Sequence, residues 1–323
     1  MAEQPILKTA YPPPPSPART RPSERAPLRV GLVQQRWHED PDEHREALAE
    51  GIRVAAGEGA RIVCLQELTL SPYFAITPDG PQAAGASPEP LESGPTVAFA
   101  RAVAAETCVH VHASLYERAA GRGGPAALGY NTAVVVAPDG RLVSRTRKLH
   151  IPVTAGYYED RYFRPGPAGG DPFPIISLPT TDGDAQLGCP TCWDQWFPEL
   201  ARAYSLEGAE VLIYPTAIGS EPDHPDFDTR PLWQQVITAN GVANGTFMIA
   251  VNRVGVEPPL TFYGSSFISD PYGRVLVQAP RAEPAVLVAD LDLDQRRDWL
   301  ELFPFLQTRR PDAYGLLTRA RSG

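Results

Sequence analysis

Strand-like and helix-patterned segments occur in this chain twice in the same order, and that recurrence limits the fold more than any other feature. "LRVGLVQQ" (28–35) is a buried-strand run, and "DPDEHREALAEGIRVAAGEGA" (40–60) has an acidic first turn, helical spacing of Ala, Ile and Val, and a glycine stop. "RIVCLQEL" (61–68) is again a strand. A helix over 95–106, a strand over 109–118 and a hairpin over 131–148, turning at Asp139-Gly140, complete the first half. After a loop rich in Gly and Pro (152–174) the rhythm returns as strand 185–192, helix 197–208, strand 211–218, helix 229–244 and strand 247–254. A hairpin over 261–279 and a last strand over 285–293 follow. Two halves with one rhythm predict an α/β fold of two mixed sheets, each backed by helices.

The two ends read differently. Residues 1–27 carry Pro12 to Pro15 with Pro17, Pro22 and Pro27 among Arg and Ser, so they bury little apolar surface and predict a disordered, extended arm outside a single domain over 28–323. The closing segment "LDQRRDWLELFPFLQTRRPDAYGLL" (293–317) is dense in aromatics and predicts a docking surface, consistent with a homo-oligomer. A formal charge of -9 argues against a nucleic-acid surface, which needs a basic stripe. No apolar run reaches the roughly 18 residues of a bilayer span, and the N-terminal stretch lacks the apolar core of a signal peptide. Cys64, Cys108, Cys189 and Cys192 are too few and too apolar in setting to read as a disulfide framework. A reducing, cytoplasmic home is the expectation.

Chemistry concentrates at three strand ends: Glu67 after "RIVCLQ", Lys148 after "LVSRTR", and the pair in "LGCPTCWDQWFPE" (187–199). A carboxylate can take a thiol proton, and an ammonium can stabilise the oxyanion of a tetrahedral intermediate, so the three together would perform acyl transfer without a metal or cofactor. Read singly, each has a plainer meaning: a capping acid, an exposed charge in a basic run, a buried filler thiol. A zinc site would need four ligands, but no Cys follows Cys192 and the nearest histidines are His150 and His224. A redox pair normally opens a helix early in a small domain, whereas this one closes a strand in the middle of a large one.

"LQEL" (65–68) with "SPYF" (71–74), "RKLHIP" (147–152), "CWDQWFPELARAYSLEGAEVLIYPTAIGSEP" (192–222) and "FYGSSFISDPYG" (262–273) together resemble the nitrilase, or carbon–nitrogen hydrolase, superfamily, over roughly residues 28–318. The resemblance implies a four-layer α-β-β-α sandwich. It implies Glu67 as general base, Lys148 as oxyanion stabiliser, Cys192 as nucleophile, Glu159 as a second acid and the Trp193 amide as the other oxyanion donor, with Cys189 a bystander. The thiol of a working site is expected to have a lowered pKa. Within the superfamily the chain is most similar to the branch that hydrolyses N-carbamoylputrescine, which implies Tyr73 and Glu221 as substrate-binding residues and a small N-carbamoyl amine as substrate. A different N-carbamoyl compound, a small aliphatic amide, or a non-catalytic binding homologue are the alternatives. Val153 stands where that branch carries an aspartate, and Pro190-Thr191 where it carries Gly-Ile. Proline in a central strand would remove a ladder donor, so the strand or the turn after it is expected to be irregular.

Overall fold

The computed structural model describes residues 5–119, 128–154, 156–167 and 169–319; residues 1–4 of the expected arm and 320–323 of the C-terminal segment lie outside the described residues. In chain order the first half comprises β1 (Ile6–Ala10), β2 (Leu28–Gln34), α1 (Pro41–Gly57), β3 (Ile62–Cys64), α2 (Pro95–Thr107), β4 (His110–Glu117), β5 (Tyr130–Val136) and β6 (Leu142–Arg147). The second comprises β7 (Ile175–Leu178), β8 (Ala185–Gly188), α3 (Pro198–Leu206), β9 (Val211–Pro215), α4 (Arg230–Asn244), β10 (Phe247–Val251), β11 (Val254–Glu257), β12 (Leu260–Tyr263), β13 (Phe267–Ser269), β14 (Val275–Gln278), β15 (Ala285–Leu291) and α5 (Asp294–Leu302). Asp40 caps α1 by accepting the amides of Asp42 and Glu43, as the acidic first turn predicts.

The strands form a seven-stranded sheet in the order β1-β15-β2-β3-β4-β5-β6 and a six-stranded sheet in the order β14-β13-β10-β9-β8-β7. Both mix parallel and antiparallel pairs. Alternation along the strands sorts side chains into three apolar layers. Val30, Leu32, Cys64 and Val135 meet Leu187, Cys189, Ile213 and Ile249 between the sheets. Val63, Val111 and Val134 pack under Ile52 of α1 and Val103 of α2. Leu212, Met248 and Phe267 pack under Leu200 of α3 and Trp233 of α4. The result is the expected α-β-β-α sandwich.

β15, the last strand, lies in the first sheet and pairs antiparallel with β2 along its full length, from Ala285↔Gln34 to Leu291↔Leu28. One expectation changes. The described part of the N-terminal segment is not a disordered arm. β1 pairs parallel with β15, and Arg19 bonds Asp292 at 2.7 Å and Asp298 at 2.9 Å. Arg25 reaches Glu210 at 2.6 Å, and Asp294 accepts the Glu24 and Arg25 amides. Proline removes an N–H but leaves its carbonyl, and the Pro14 and Pro15 carbonyls accept from Gln295 and Arg274. The acidic stretch around α5 is the partner that composition alone does not reveal.

Candidate active site

The loops at one end of the facing sheets bring the predicted residues together. Glu67 lies three residues beyond β3, Lys148 directly follows β6, Glu159 opens a short 3-10 turn (Glu159–Arg161), and Cys192 opens another (Cys192–Trp196) after β8. Glu67, Lys148 and Glu159 are at most 1% exposed and Cys192 is 6% exposed. Lys148 Nζ donates to Glu67 Oε1 at 3.0 Å and to both Glu159 oxygens at 2.8 and 2.6 Å. The ammonium is thereby shared between two carboxylates. A buried charge of this kind persists only when paired and hydrogen-bonded.

Neighbouring residues fix this trio. Asn131, on β5, donates to Glu67 Oε1 at 2.7 Å while its own carbonyl accepts the Lys148 amide at 2.9 Å. Tyr73 OH donates to Glu159 Oε1 at 2.7 Å. Glu67 Oε2 has no partner among the described residues and is the oxygen free to take a proton.

Cys192 sits on a strained turn. Cys192 has φ 38°, in the left-handed region that a residue with a Cβ seldom adopts. Asp194 holds the turn: its amide donates to the Thr191 carbonyl and its carboxylate accepts the Thr191 amide. The same carboxylate accepts the His150 amide at 3.0 Å and pairs with His150 Nδ1 at 2.7 Å, joining the Cys192 turn to the segment after Lys148. Gln195 ties the turn to α4 through the Trp233 indole and the Asn240 amide. Pro190 removes no ladder bond, because β8 ends at Gly188; the irregularity is an early strand end. Gly188 is required there, since a Cβ would lie 2.5 Å from the Tyr204 ring of α3. Cys189 points into the core between the sheets, and all four cysteines are free thiols. Among the described residues no cluster of three or more His, Cys, Asp or Glu could hold a metal ion.

Electrostatics distribute the protons. Burial works against the Lys148 charge, but Glu159 and Glu67 more than offset it, and the ammonium pKa rises. Burial lifts Glu159 to about 7 even though Lys148 pulls it down, because Glu67 competes for the same cation. Burial also pushes the Cys192 thiol well up; the Glu67 and Glu159 charges add to this and Lys148 opposes it. The expected lowered thiol pKa is therefore not found: the resting group is a neutral thiol, so nucleophilic attack requires a base to take its proton at that moment.

An aromatic cluster adjoins the site through Tyr73. Tyr73, Phe74, Tyr157 and Phe262 form one buried cluster. Tyr157 and Tyr263 each lie close enough to both Glu221 and Cys192 that, beyond burial, both groups push their phenols up. Glu221 is half-buried, accepts from Thr229 Oγ1 at 3.3 Å and is raised by burial. Trp193 is half-buried beside Trp196, and Val153 is 75% exposed. Sequence reasoning missed Asn131, His150 and Asp194. "TCWD" is a capping-type spacing that points to Asp194, and Asn131 stands out as a polar residue opening an apolar strand.

Comparison with known proteins agrees with this fold. The carbon–nitrogen hydrolase family model matches residues 29–301. The chain is 36% identical over 298 residues to an N-carbamoylputrescine amidase of Arabidopsis thaliana, covering 89% of this chain and 94% of that protein. It is 36% identical over 301 residues to a citrullinase of Francisella tularensis, covering 91% and 99%. A carbon–nitrogen hydrolase from Helicobacter pylori G27 superposes with a TM-score of 0.76 at 32% identity, over 92% of this chain and all of that one.

Proposed function

Since the chain belongs to the carbon–nitrogen hydrolase family and is a hydrolase of amide carbon–nitrogen bonds, we propose that it releases ammonia and carbon dioxide from the terminal ureido group of an alkyl N-carbamoyl amine bearing a distal ammonium, N-carbamoylputrescine first. One observation carries this reading. A buried Glu67–Lys148–Glu159 trio lies near Cys192, and a further carboxylate, Glu221, lies near the same two tyrosines, Tyr157 and Tyr263, as that thiol. The first group suits the ureido carbon and the second suits a substrate cation.

In the reaction so read, Glu67 Oε2 takes the Cys192 proton as the sulfur attacks the ureido carbon. Lys148 and the Trp193 amide receive the negative charge on the ureido oxygen. The C–N bond to the alkyl amine breaks, the amine leaves with the proton from Glu67, and a carbamoyl thioester remains. Water, deprotonated by Glu67 and oriented by Glu159, cleaves the thioester; the proton returns to sulfur, and the carbamate separates into carbon dioxide and ammonia. Lys148 supplies charge without giving up a proton, in keeping with its raised pKa.

A second reading, a ureido α-amino acid such as citrulline, is favoured by a different observation. The citrullinase of Francisella tularensis is as similar to this chain as the N-carbamoylputrescine amidase is, and the Arg281 guanidinium, 5.8 Å from the Tyr263 ring centroid, would meet a substrate carboxylate only by giving up its pair with Asp228 at 2.8 Å. Ammonia release from N-carbamoylputrescine, citrulline and uncharged N-butylurea, each measured against Cys192→Ala, distinguishes the two. Turnover of N-butylurea alone would overturn both. The exposed Phe303, Leu316 and Leu317 support self-association through the C-terminal segment. Four free thiols suit a cytoplasmic setting, and among the described residues no helix is long and apolar enough to cross a membrane.

A further inference from the structure

Arg253, between β10 and β11, has no exposed surface and carries its charge into the wall behind the site. Its Nη1 donates to Glu257 Oε1 at 2.6 Å. Its Nη2 is shared among three carbonyls of one loop: Glu67 at 3.1 Å, Leu68 at 2.8 Å and Ser71 at 2.6 Å. The other oxygen of Glu257 accepts the Tyr73 amide at 2.6 Å. Leu68 has φ 50°, so the loop follows a path that an isolated chain seldom takes, with its carbonyls turned toward the guanidinium.

The bonds lead to both acids. Arg253 holds the backbone carbonyl of Glu67 itself. Glu257 holds the amide of Tyr73, whose hydroxyl donates to Glu159 at 2.7 Å. Breaking a buried pair is costly, yet apolar residues of equal volume often fill such a space as well, so the pair points to a need for exact placement and not for cohesion alone. A lysine carries the charge but lacks the planar fork that spans Glu257 and the carbonyls together. The loop has other supports: the Leu68 amide donates to Ser114 Oγ and the Thr69 amide to the Ser114 carbonyl.

We propose that Arg253 and Glu257 are positioning residues that jointly set the separation of Glu67 and Glu159 about Lys148. This rests on the reading of those three as reacting groups. The test uses the full chain with Arg253→Lys and Glu257→Gln, singly and together, followed by kcat, KM, the pH profile of kcat, and the pH profile of Cys192 alkylation by iodoacetamide. Arg253→Lys is expected to lower kcat about 100-fold with KM within about threefold, as misplacement by an ångström does. Glu257→Gln lowers it about tenfold, and the double variant is no worse than Arg253→Lys, because the two act as one unit. The alkylation profile is displaced in each variant, since the thiol's ionisation depends on where the two carboxylates stand. Unchanged kcat in folded variants, a loss confined to KM, or alkylation profiles that superimpose on the wild type would overturn the proposal. If Arg253→Lys does not fold, the isosteric Glu257→Gln decides. If the wild type turns over no ureido compound, that reading fails, and the alkylation profiles still decide this one.

Discussion

Replacing Lys148 with methionine keeps an unbranched apolar stem one atom shorter and deletes the cation between two buried carboxylates. Three charge-assisted bonds disappear, each worth about 1.5–3 kcal/mol, but their sum overstates the loss because an abandoned acid can take up a proton. Removing one partner of a buried pair costs about 3–5 kcal/mol, and that is the expected deficit at pH 8.5. Its pH dependence carries the argument. Glu159 holds its proton up to about 7 with Lys148 present, and without the ammonium its pKa climbs further. A carboxylate raised in the folded state contributes stability that is fully present below its unfolded pKa, roughly 4.3, and lost as pH rises through the folded value. The deficit of Lys148→Met should therefore widen from pH 5.5 to 8.5, by up to about 1.4 kcal/mol per unit for each acid titrating. Urea unfolding of both proteins at pH 5.5, 7 and 8.5 measures it. A deficit equal at pH 5.5 and 8.5, or below about 1 kcal/mol throughout, would refute the shared-cation account.

Cys192→Ala should reduce ammonia release to background while leaving unfolding within about 1 kcal/mol of wild type, since it removes one small polar group; loss of fold with loss of activity would count against a purely chemical role. Glu221→Gln should raise KM for N-carbamoylputrescine about tenfold, or about 1.4 kcal/mol, without changing kinetics on N-butylurea. Deleting residues 1–27 should lower stability by about 2 kcal/mol or more, by a smaller margin in 1 M salt, and leave kcat within about twofold, because the segment's described residues bond β15 and α5 and none of Glu67, Lys148, Glu159 and Cys192. Unfolding curves and steady-state rates of the truncated enzyme check this.

Periodicity made the two sheets and their helices legible, because each side chain's environment repeats along its own element. It could not place β15, since an apolar strand fits either sheet and the choice depends on an edge of β2 left open far back in the chain. Glu67, Lys148 and Cys192 were legible as chemistry at strand ends, and the family resemblance supplied their conjunction. The thiol's protonation was misjudged because it depends on burial and on two carboxylates that the chain supplies 33 and 125 residues earlier, beyond any local pattern. Arg253 and Glu257 left no local mark either: a lone Arg and Glu four residues apart read as a solvated pair, whereas here both are buried. The proline-rich segment misled for the converse reason, its composition describing what it lacks and not the carboxylates waiting for its arginines.

The position of β15 governs how the chain must be made. Synthesis delivers β2 early, but its neighbour arrives only about 250 residues later, so a nascent chain exposes that apolar edge until nearly all of it has left the ribosome. A product ending before residue 285 would lack an inner strand of the first layer and keep the β2 edge open to other chains. Loss of residues 285–323 would thus produce aggregation, not a smaller enzyme.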